Sequence, residues 1–451
     1  MSGIGTNVLA FIVAIGILVA FHEYGHYWTA RRLGVKVLRF SIGFGKTLLV
    51  WRGGADRTEY AISAIPLGGY VKMLDEREGA VAQEERHRAF NVQPLWKRTL
   101  IVCAGPAANF LFAILVYWLL FVVGTQEMRP VIGPVEPETP AAEAGFQEGD
   151  ELLALDSRQT PTWERVLMGL MDSGLRGRAV DVEVRTEEGR QLERQLDLSG
   201  LPRIGDDPDL LRVIGLQPWQ PNIPPRVGEL VDGGAADRAG LQPGDEIVSV
   251  DGQSLEEWRE LVEALNARAG ERVTLIAERE GAARDFDVEL NELGSDRGVL
   301  GVRPDIAPDA FEHMFHTVRY GPMESVGEAV RGTWQTSALT VQVLWKMVVG
   351  EASLKNLSGP INIAQYAGDT ASTGLVPFLK FLAIVSISLG IINLLPIPIL
   401  DGGHLLYFLA EAIKGSPVSE QAQVIGQQIG ILMLFLLMGL AFYNDIARLI
   451  G

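Results

Sequence analysis

The amino-acid sequence predicts a polytopic α-helical membrane protein with four transmembrane helices, a membrane-associated β-hairpin region and two α+β domains outside the membrane. Apolar residues make up 47% of the 451 residues although 21% are charged, so they must be concentrated in blocks. In addition, the segment that starts at Ile132 aligns without gaps on the segment that starts at Val227, an offset of 95 residues. A period this long indicates a duplicated domain, because the repeats of solenoid proteins are about 20 to 50 residues long.

Four stretches are long and apolar enough to be membrane spans, since a helix that crosses a bilayer needs about 20 mostly apolar residues. They are 4–21, 99–123, 375–395 and 424–443. A cleaved signal peptide is the alternative for the first stretch, but no basic residue precedes its apolar part and no small-residue cleavage pattern follows it. A fifth stretch, 339–349, is short and contains Lys346, and it follows apolar and charged residues at helical spacing. It predicts an amphipathic helix in the membrane interface.

The charges are unevenly distributed along the chain, whose net charge is −17. Residues 31–98 hold 13 Lys and Arg against 7 Asp and Glu, whereas residues 124–320 hold 20 against 40. Because positively charged loops stay in the cytoplasm, 31–98 is expected to be cytoplasmic and the acidic part to lie outside. The acidic part is not expected to bind nucleic acid. The single cysteine, Cys103, excludes a disulfide framework and a thiolate metal site within this chain.

Residues 47–73 predict a β-hairpin, because β-rich runs are broken there by Gly-Gly and by Pro-Leu-Gly-Gly. Two locations are open for it. The strands either dip into the bilayer where protein or water covers their backbone groups, or form a soluble hairpin on the cytoplasmic face.

The repeated segments share a pattern that looks like the PDZ domain. Each has an Ala-Gly-x-x-x-Gly-Asp-Glu turn, then alternating apolar residues, an Asp turn and a helix that carries Trp163 or Trp258. PDZ domains bind extended chain ends by adding a strand to the edge of a sheet. The Pro-rich residues 217–226 are predicted to link the two copies.

The HEYGH sequence at 22–26 places His22 and His26 one helical turn apart on the same face, where both can reach one metal ion, with Glu23 beside them. A hydrolytic zinc site needs three protein ligands and an open position for water. The pattern can arise by chance in a helix. Here it ends a membrane span, where His and Glu are costly unless they pair with one another or bind a metal.

The third ligand is expected from another span, and NLLPIPILDGGH at 393–404 ends the third span with a carboxylate, Asp401. His404 is the rival ligand. Pro396 and Pro398 cannot continue a helix, so the backbone there is expected to unwind and to expose polar groups that could hold an extended substrate. The alternative is a plain helix end with Asp401 as the N-cap of the next helix. His313 and His316 are expected on an interfacial helix face.

Taken together, five features resemble the site-two protease family over essentially the whole chain: HEYGH at the end of the first span, IPLGGYVKM, AGPAANF in the second span, the duplicated PDZ domains and NLLPIPILDGG. The resemblance implies that His22, His26 and Asp401 bind Zn²⁺ and that Glu23 is the catalytic base. It also implies that the residues that handle substrate are Asn393, Pro396, Pro398, Gly43 and Gly45, the two glycines lying in a membrane-associated loop.

The same resemblance implies an intramembrane zinc metalloprotease that cuts transmembrane segments of membrane proteins already trimmed by another protease. The implied substrates are an anti-sigma factor in an envelope-stress pathway and remnant signal peptides. The implied location is the cell inner membrane, in contact with the lipid bilayer, with the active site near the cytoplasmic side and the PDZ domains in the periplasm.

The expected domains follow this order. They are 1–31, the first transmembrane helix with HExxH; 32–96, the cytoplasmic or membrane-associated β region; 97–124, the second transmembrane helix; 125–220 and 221–306, the PDZ domains; 307–372, amphipathic interfacial helices; 373–402, the third transmembrane helix with Leu-Asp-Gly; and 403–451, a loop and the fourth transmembrane helix. The PDZ pair would either bind a new C-terminus or exclude bulky substrates. A membrane-anchored PDZ scaffold and a zinc transporter are the competing functions.

Overall fold

The computed structural model describes residues 3–200, 210–266, 268–293, 297–307, 309–351 and 358–450. Parts of five predicted regions (1–31, 125–220, 221–306, 307–372 and 403–451) therefore lie outside the described residues. The helices are α1 (Ile4–Arg32), α2 (Leu95–Val123), α3 (Pro140–Glu143), α4 (Trp163–Arg176), α5 (Leu210–Ile214), α6 (Ala235–Ala239), α7 (Trp258–Asn266), α8 (Pro322–Val348), α9 (Pro360–Thr373), α10 (Leu375–Leu394), α11 (Asp401–Lys414) and α12 (Glu420–Ile450). The strands are β1 (Val37–Gly53), β2 (Thr58–Met73), β3 (Thr125–Met128), β4 (Glu151–Leu155), β5 (Arg158–Gln159), β6 (Val180–Arg185), β7 (Gln191–Leu196), β8 (Val227–Leu230), β9 (Glu246–Val250), β10 (Gln253–Ser254), β11 (Arg272–Arg279), β12 (Ala282–Glu289), β13 (Asn291–Leu293), β14 (Arg297–Val299), β15 (Val302–Pro304) and β16 (Phe315–Val318).

Within the described residues, four helices are long and apolar enough to cross a membrane: α1, α2, α10 and α12. They fit the four predicted spans, and each carries apolar side chains that are exposed, as lipid-facing helices do. α1 is longer than its predicted span, because the helix continues through HEYGH to Arg32. The HEYGH motif therefore lies on a regular helix that is continuous with the first span.

The core of the helical part is formed by α1, α2, α8 and α10. Small residues allow close approach at its centre, among them Ala14 of α1, Ala113 of α2, Ala329 of α8 and Ala383 of α10. α12 packs much less, since only 11% of its apolar window is buried. Its C-terminal part is nonetheless fixed, because Asp445 accepts hydrogen bonds from the N–H groups of Gly359, Ile361 and Asn362 at the start of α9. These donors lack partners within a helix, so the carboxylate satisfies them as a cap would.

β1 and β2 form a twisted sheet that packs against the end of α1. The first half of β1 lies between two parts of β2, since Phe40 pairs with both Tyr60 and Val71. Gly43 and Gly45 have φ values of 91° and 82°, which favour glycine. A Cβ on Gly43 would also lie 2.9 Å from the carbonyl oxygen of Ile65. Both glycines are therefore required by the bend within β1.

The two sequence repeats fold alike. In the first repeat the elements run α3, β4, β5, α4, β6, β7, and in the second α6, β9, β10, α7, β11, β12. The sheets have the same strand order, β5-β4-β6-β7 and β10-β9-β11-β12. Each repeat has its own apolar core.

β3 pairs with β16, so the chain that leaves α2 lies beside the chain that enters α8. This pairing changes one expectation. His313 lies in a single 3-10 turn and His316 in β16, opposite Glu127, rather than on a helix face. The strand depends on a partner almost 190 residues away, which local spacing does not reveal.

Candidate metal centre

His22 and His26 lie on the same face of α1, and both side chains are buried. Their Nε2 atoms are 3.2 Å apart. This arrangement follows from helical geometry, because residues four apart are neighbours on one face.

Asp401 reaches the two histidines from the far end of the chain. α10 ends at Leu394, and the six residues that follow are not helical before α11 begins at Asp401. Pro396 and Pro398 lie in this break, where their rings and missing N–H groups do not allow a helix. Leu400, not Asp401, is the N-cap of α11. The Asp401 side chain is therefore not used as a cap, and it points toward α1.

The distances between the three side chains fit a tetrahedral zinc site. Oδ2 of Asp401 lies 3.2 Å from Nε2 of His22 and 3.3 Å from Nε2 of His26. Ligand atoms that surround tetrahedral zinc at about 2.0–2.1 Å are about 3.3 Å apart. Oδ2 of Asp401 is also buried and has no hydrogen-bond partner among the described residues. A buried carboxylate oxygen without a donor is unfavourable unless a cation occupies the space.

α2 orients the two imidazoles from behind. Nδ1–H of His26 donates to the carbonyl oxygen of Ile101 at 2.8 Å, which leaves the Nε2 lone pair free for a metal. The buried amide of Asn109 lies 3.1 Å from Nδ1 of His22. The atom that faces the ring is Nδ2, a donor, whereas Oδ1 is buried and has no hydrogen-bond partner among the described residues. Turning the amide over exchanges the two atoms, and Oδ1 then accepts Nδ1–H, which is the His22 tautomer that a metal at Nε2 requires.

Gly105 allows α2 to approach this closely. A Cβ on Gly105 would lie 2.2 Å from Nε2 of His26 and 2.9 Å from Cε1 of His22. Sequence reasoning quoted AGPAANF but assigned no role to Gly105 or Asn109. The available signal was a buried polar residue inside an apolar span, which usually marks function.

A cavity with an empty volume of about 1840 Å³, including its open mouth, joins the metal centre to the hairpin. The predicted residues His22, Glu23, His26, Asn393 and Asp401 all line it, as does the rival ligand His404, which is not part of the three-residue cluster. The last segment of β2 forms the opposite wall, from Gly68 to Met73.

Glu23 packs directly on this wall. A Cβ on Gly69 would lie 2.9 Å from Cγ of Glu23, so glycine lets the strand approach the carboxylate-bearing side chain. Glu23 is buried and lines the same cavity as the two imidazoles.

Four predicted substrate-handling residues lie near this cavity without lining it. Gly43 and Gly45 flank Phe44, whose ring does line the cavity. Pro396 and Pro398 are not among the lining residues. Pro398 contacts α12, where a Cβ on Gly430 would lie 3.3 Å from its Cδ.

Comparison with known proteins gives a family match over most of the chain. Residues 10–437 match the model of Peptidase family M50. The chain is 46% identical to "Regulator of sigma-E protease RseP" of Salmonella typhimurium and 45% identical to the protein of that name in Escherichia coli strain K12, in each case over 98% of this chain and 99% of the relative. It is 44% identical to a "Putative zinc metalloprotease" of Vibrio cholerae over the full length of both chains.

A solved PDZ domain of the SdrC-like protein from Listeria monocytogenes is 18% identical and covers 18% of this chain and 85% of that structure, with a TM-score of 0.17. This likeness is too weak to assign a fold to either repeat.

Proposed function

Because the chain belongs to peptidase family M50 and is a multi-pass zinc metalloprotease of the site-two type, we propose that it hydrolyses peptide bonds of membrane-embedded segments at the centre formed by His22, His26 and Asp401. The observation that carries the proposal is the convergence of the three ligand atoms, which come from α1 and α11, at the spacing of a tetrahedral zinc site.

The residues of the centre have three roles: binding the metal, orienting its ligands and transferring a proton. His22, His26 and Asp401 hold the metal, and Ile101 and Asn109 orient the imidazoles. A bound zinc ion supplies Lewis acidity, which polarises a carbonyl group and makes a water molecule more acidic. Glu23 accepts a proton from the attacking water and returns it to the leaving amine, so no covalent link to the protein is needed.

A substrate in the membrane has to present its backbone to this centre. A helical segment hides its carbonyl groups in its own hydrogen bonds, so it must unwind before attack. The segment of β2 from Gly69 to Met73 pairs on one side with β1, and within the described residues no strand pairs on its other side. We propose that the substrate adds there as a strand. Asn393 and the unwound residues around Pro396 and Pro398 hold it from the opposite side.

The relatives suggest the class of substrate. Two of them carry the name "Regulator of sigma-E protease RseP", which supports an anti-sigma factor in an envelope-stress pathway as substrate. Remnant signal peptides are the second proposed class of substrate. The proposed location is the cell inner membrane. The basic segment 31–98 would face the cytoplasm, and the acidic repeats, assigned to PDZ domains at 125–220 and 221–306, would lie in the periplasm.

Cleavage of a membrane-embedded reporter tests this function. The Glu23→Gln variant keeps all three metal ligands but lacks the base, so we expect it to bind zinc stoichiometrically and to lose cleavage by at least about 100-fold. Zinc content is measured on the same purified sample. A Glu23→Gln protein that cleaves at the wild-type rate would rule out this mechanism, and wild-type protein that binds no zinc would rule out the metal centre.

A further inference from the structure

A groove between the first repeat and α8 has a charge opposite to that of its surroundings. Residues 124–320 are strongly acidic, yet five arginines and only two aspartates line this groove. We propose that the groove binds the headgroup of an anionic phospholipid. The lining arginines are Arg158, Arg165, Arg176, Arg178 and Arg331.

The groove has room for a headgroup, with an empty volume of about 1200 Å³ that includes its open mouth. One wall is α4 with the residues around β5, and the other wall is α8. The arginines therefore come from both sides. Arg158, Arg176 and Arg178 belong to the first repeat and Arg331 belongs to α8.

The carboxylates nearby do not neutralise the groove. Arg178 pairs with Asp156 at 2.5 Å and Arg176 with Asp172 at 2.9 Å. Arg165 and Arg331 share a single carboxylate, that of Glu328. The nearest carboxylate oxygen to Arg158 is 3.8 Å away on Asp172, which is beyond hydrogen-bond distance.

Five guanidinium groups thus pair with three carboxylates, and with Asp181, which also acts on Arg178, the arginines still outnumber the carboxylates by five to four. Each guanidinium has five N–H donors, so even the paired ones can still donate to a phosphate group.

α8 supplies the apolar surface that distinguishes a lipid from a soluble anion. Its buried face, with Ala329 and Thr333, packs on the helical core. Another face carries a stripe of exposed apolar side chains: Met323, Val326, Val330, Trp334, Val341, Trp345 and Val348. These positions recur at the spacing of one helix face, as in helices that lie in a membrane interface.

The stripe borders the groove, because Trp334 belongs to both and is 73% exposed. Tryptophan is favoured at the level of lipid headgroups, where its ring meets acyl chains and its N–H meets polar groups. A phosphate in the groove would leave the attached acyl chains beside the stripe. An acidic peptide would use the arginines but would have no use for this adjoining apolar face.

Binding of an anionic lipid would keep the acidic first repeat at a membrane surface that is also negatively charged. A surface that carries anionic lipids repels a domain with excess carboxylates, and each basic group near such a surface is attracted to it. The groove gives the first repeat one face that the membrane attracts, and the proposal does not depend on which bond the protease cleaves.

Native mass spectrometry of the full-length protein in neutral detergent tests the site, with added phosphatidylglycerol or phosphatidylcholine of identical acyl chains. We expect wild-type protein to retain phosphatidylglycerol preferentially. The Arg158→Gln/Arg176→Gln/Arg331→Gln variant should lose about tenfold in apparent affinity for that lipid and not for phosphatidylcholine. The control Arg272→Gln/Arg284→Gln/Arg303→Gln removes the same charge from exposed positions of the second repeat and should bind as wild type does.

The single variant Arg158→Gln guards against misfolding, since Arg158 has no carboxylate within hydrogen-bond distance. It should weaken phosphatidylglycerol binding severalfold at an unchanged melting temperature. Equal retention of the two lipids by wild type, or unchanged retention by the triple variant, would overturn the proposal. It would also be overturned if glycerol phosphate or an acidic peptide displaced the lipid at equal concentration, because the groove would then recognise a soluble anion.

Discussion

Gly105 decides how closely α2 approaches the imidazoles of His22 and His26. A Cβ atom at this position would lie only 2.2 Å from Nε2 of His26, so only the hydrogen of a glycine fits there. Real contacts to a Cβ atom are not this short, and the atoms in the way belong to the imidazoles, so either His26 would leave its hydrogen bond to Ile101 or α2 would shift. A single methyl group at position 105 would therefore displace the side chains of the metal centre.

The substitution Gly105→Ala should weaken zinc binding by at least about tenfold, because either His26 or α2 must move. Competition with a chromogenic chelator measures the affinity. Gly16→Ala is the matched control, since it also adds a methyl group within a membrane helix but meets no atom within 4 Å. If the two variants bind zinc equally well, the close packing of α2 on the centre is not required.

At the residue scale, the sequence predicted the candidate metal ligands and the candidate base, which belong to motifs. It did not predict the residues that contact and orient those ligands. His22, Glu23 and His26 are recognisable from their spacing on one helix. The end of the third span offered both Asp401 and His404, and only the family resemblance favoured Asp401. Ile101 acts through its carbonyl oxygen, which every residue has, so no side-chain pattern could mark it. Gly105 is one of 50 glycines in the chain, and only the packing distinguishes it.

At the scale of elements, a contact with α2 helps to fix α11, the helix that presents Asp401, because the six residues between α10 and α11 are not helical. Arg98 of α2 donates to both carboxylate oxygens of Glu411, at 2.5 and 3.1 Å. Its guanidinium also lies over the ring of Phe408, 5.1 Å from the centroid. A bidentate pair of this kind fixes direction as well as distance. The pair joins residues 313 positions apart, so no local pattern predicts it.

Removing one partner should loosen α11 and reduce proteolysis. We expect Arg98→Met to lower the cleavage rate roughly tenfold, which corresponds to about 1.4 kcal/mol. The charge-exchanged variant Arg98→Glu/Glu411→Arg should recover part of the loss. Equal rates for Arg98→Met and wild type, measured on a membrane-embedded reporter, would contradict a positioning role for this pair.

The second repeat contains a buried ion pair that depends on pH. Burial opposes the charge of Asp245, but hydrogen bonds from Arg279 and from the N–H of Gln242 outweigh it and lower the pKa of Asp245. The folded repeat thus favours the carboxylate. This stabilisation is complete above the pKa of an unfolded Asp, about 3.9, and is lost as the pH falls through the lower value of the folded state.

Hydrogen exchange in β9 and β11 checks this expectation. Protection should fall as the pH is lowered below about 4 in wild type, as the carboxylate becomes protonated. The Asp245→Asn variant should be less protected at pH 7 and should lose its protection less steeply in acid. If wild type and the Asp245→Asn variant show the same dependence of protection on pH, protonation of Asp245 does not cause the loss of protection in acid.

Some elements of the fold were predicted from the sequence and others were not. Apolar length predicted the four spans, and the 95-residue offset predicted two segments that share one element order. The folding of β2 around β1 was not predicted, because Phe40 pairs with two residues that are eleven positions apart in the sequence. Strand order depends on such contacts between distant residues, whereas hydropathy reports only local burial.

For the whole molecule, the metal centre joins the first span to the segment that follows the third. Ligands that bind only the folded state stabilise it by mass action. We expect a chelator to lower the melting temperature of the detergent-solubilised protein by several degrees, and added zinc to restore it. The His22→Ala/His26→Ala variant should melt at the same temperature with and without chelator. An identical response of this variant and wild type would place the effect outside the centre.

The pairing of β3 with β16 has a mechanical consequence. Both covalent links between the repeats and the membrane helices run through this two-stranded ribbon, so tension along the chain from either repeat reaches the helices there, beside the ion pair of Arg165 with Glu328 of α8. That point continues directly into α2, the helix that holds the two imidazoles in place. A force applied to either repeat is therefore transmitted to α2, the helix that contacts the imidazoles of the metal centre.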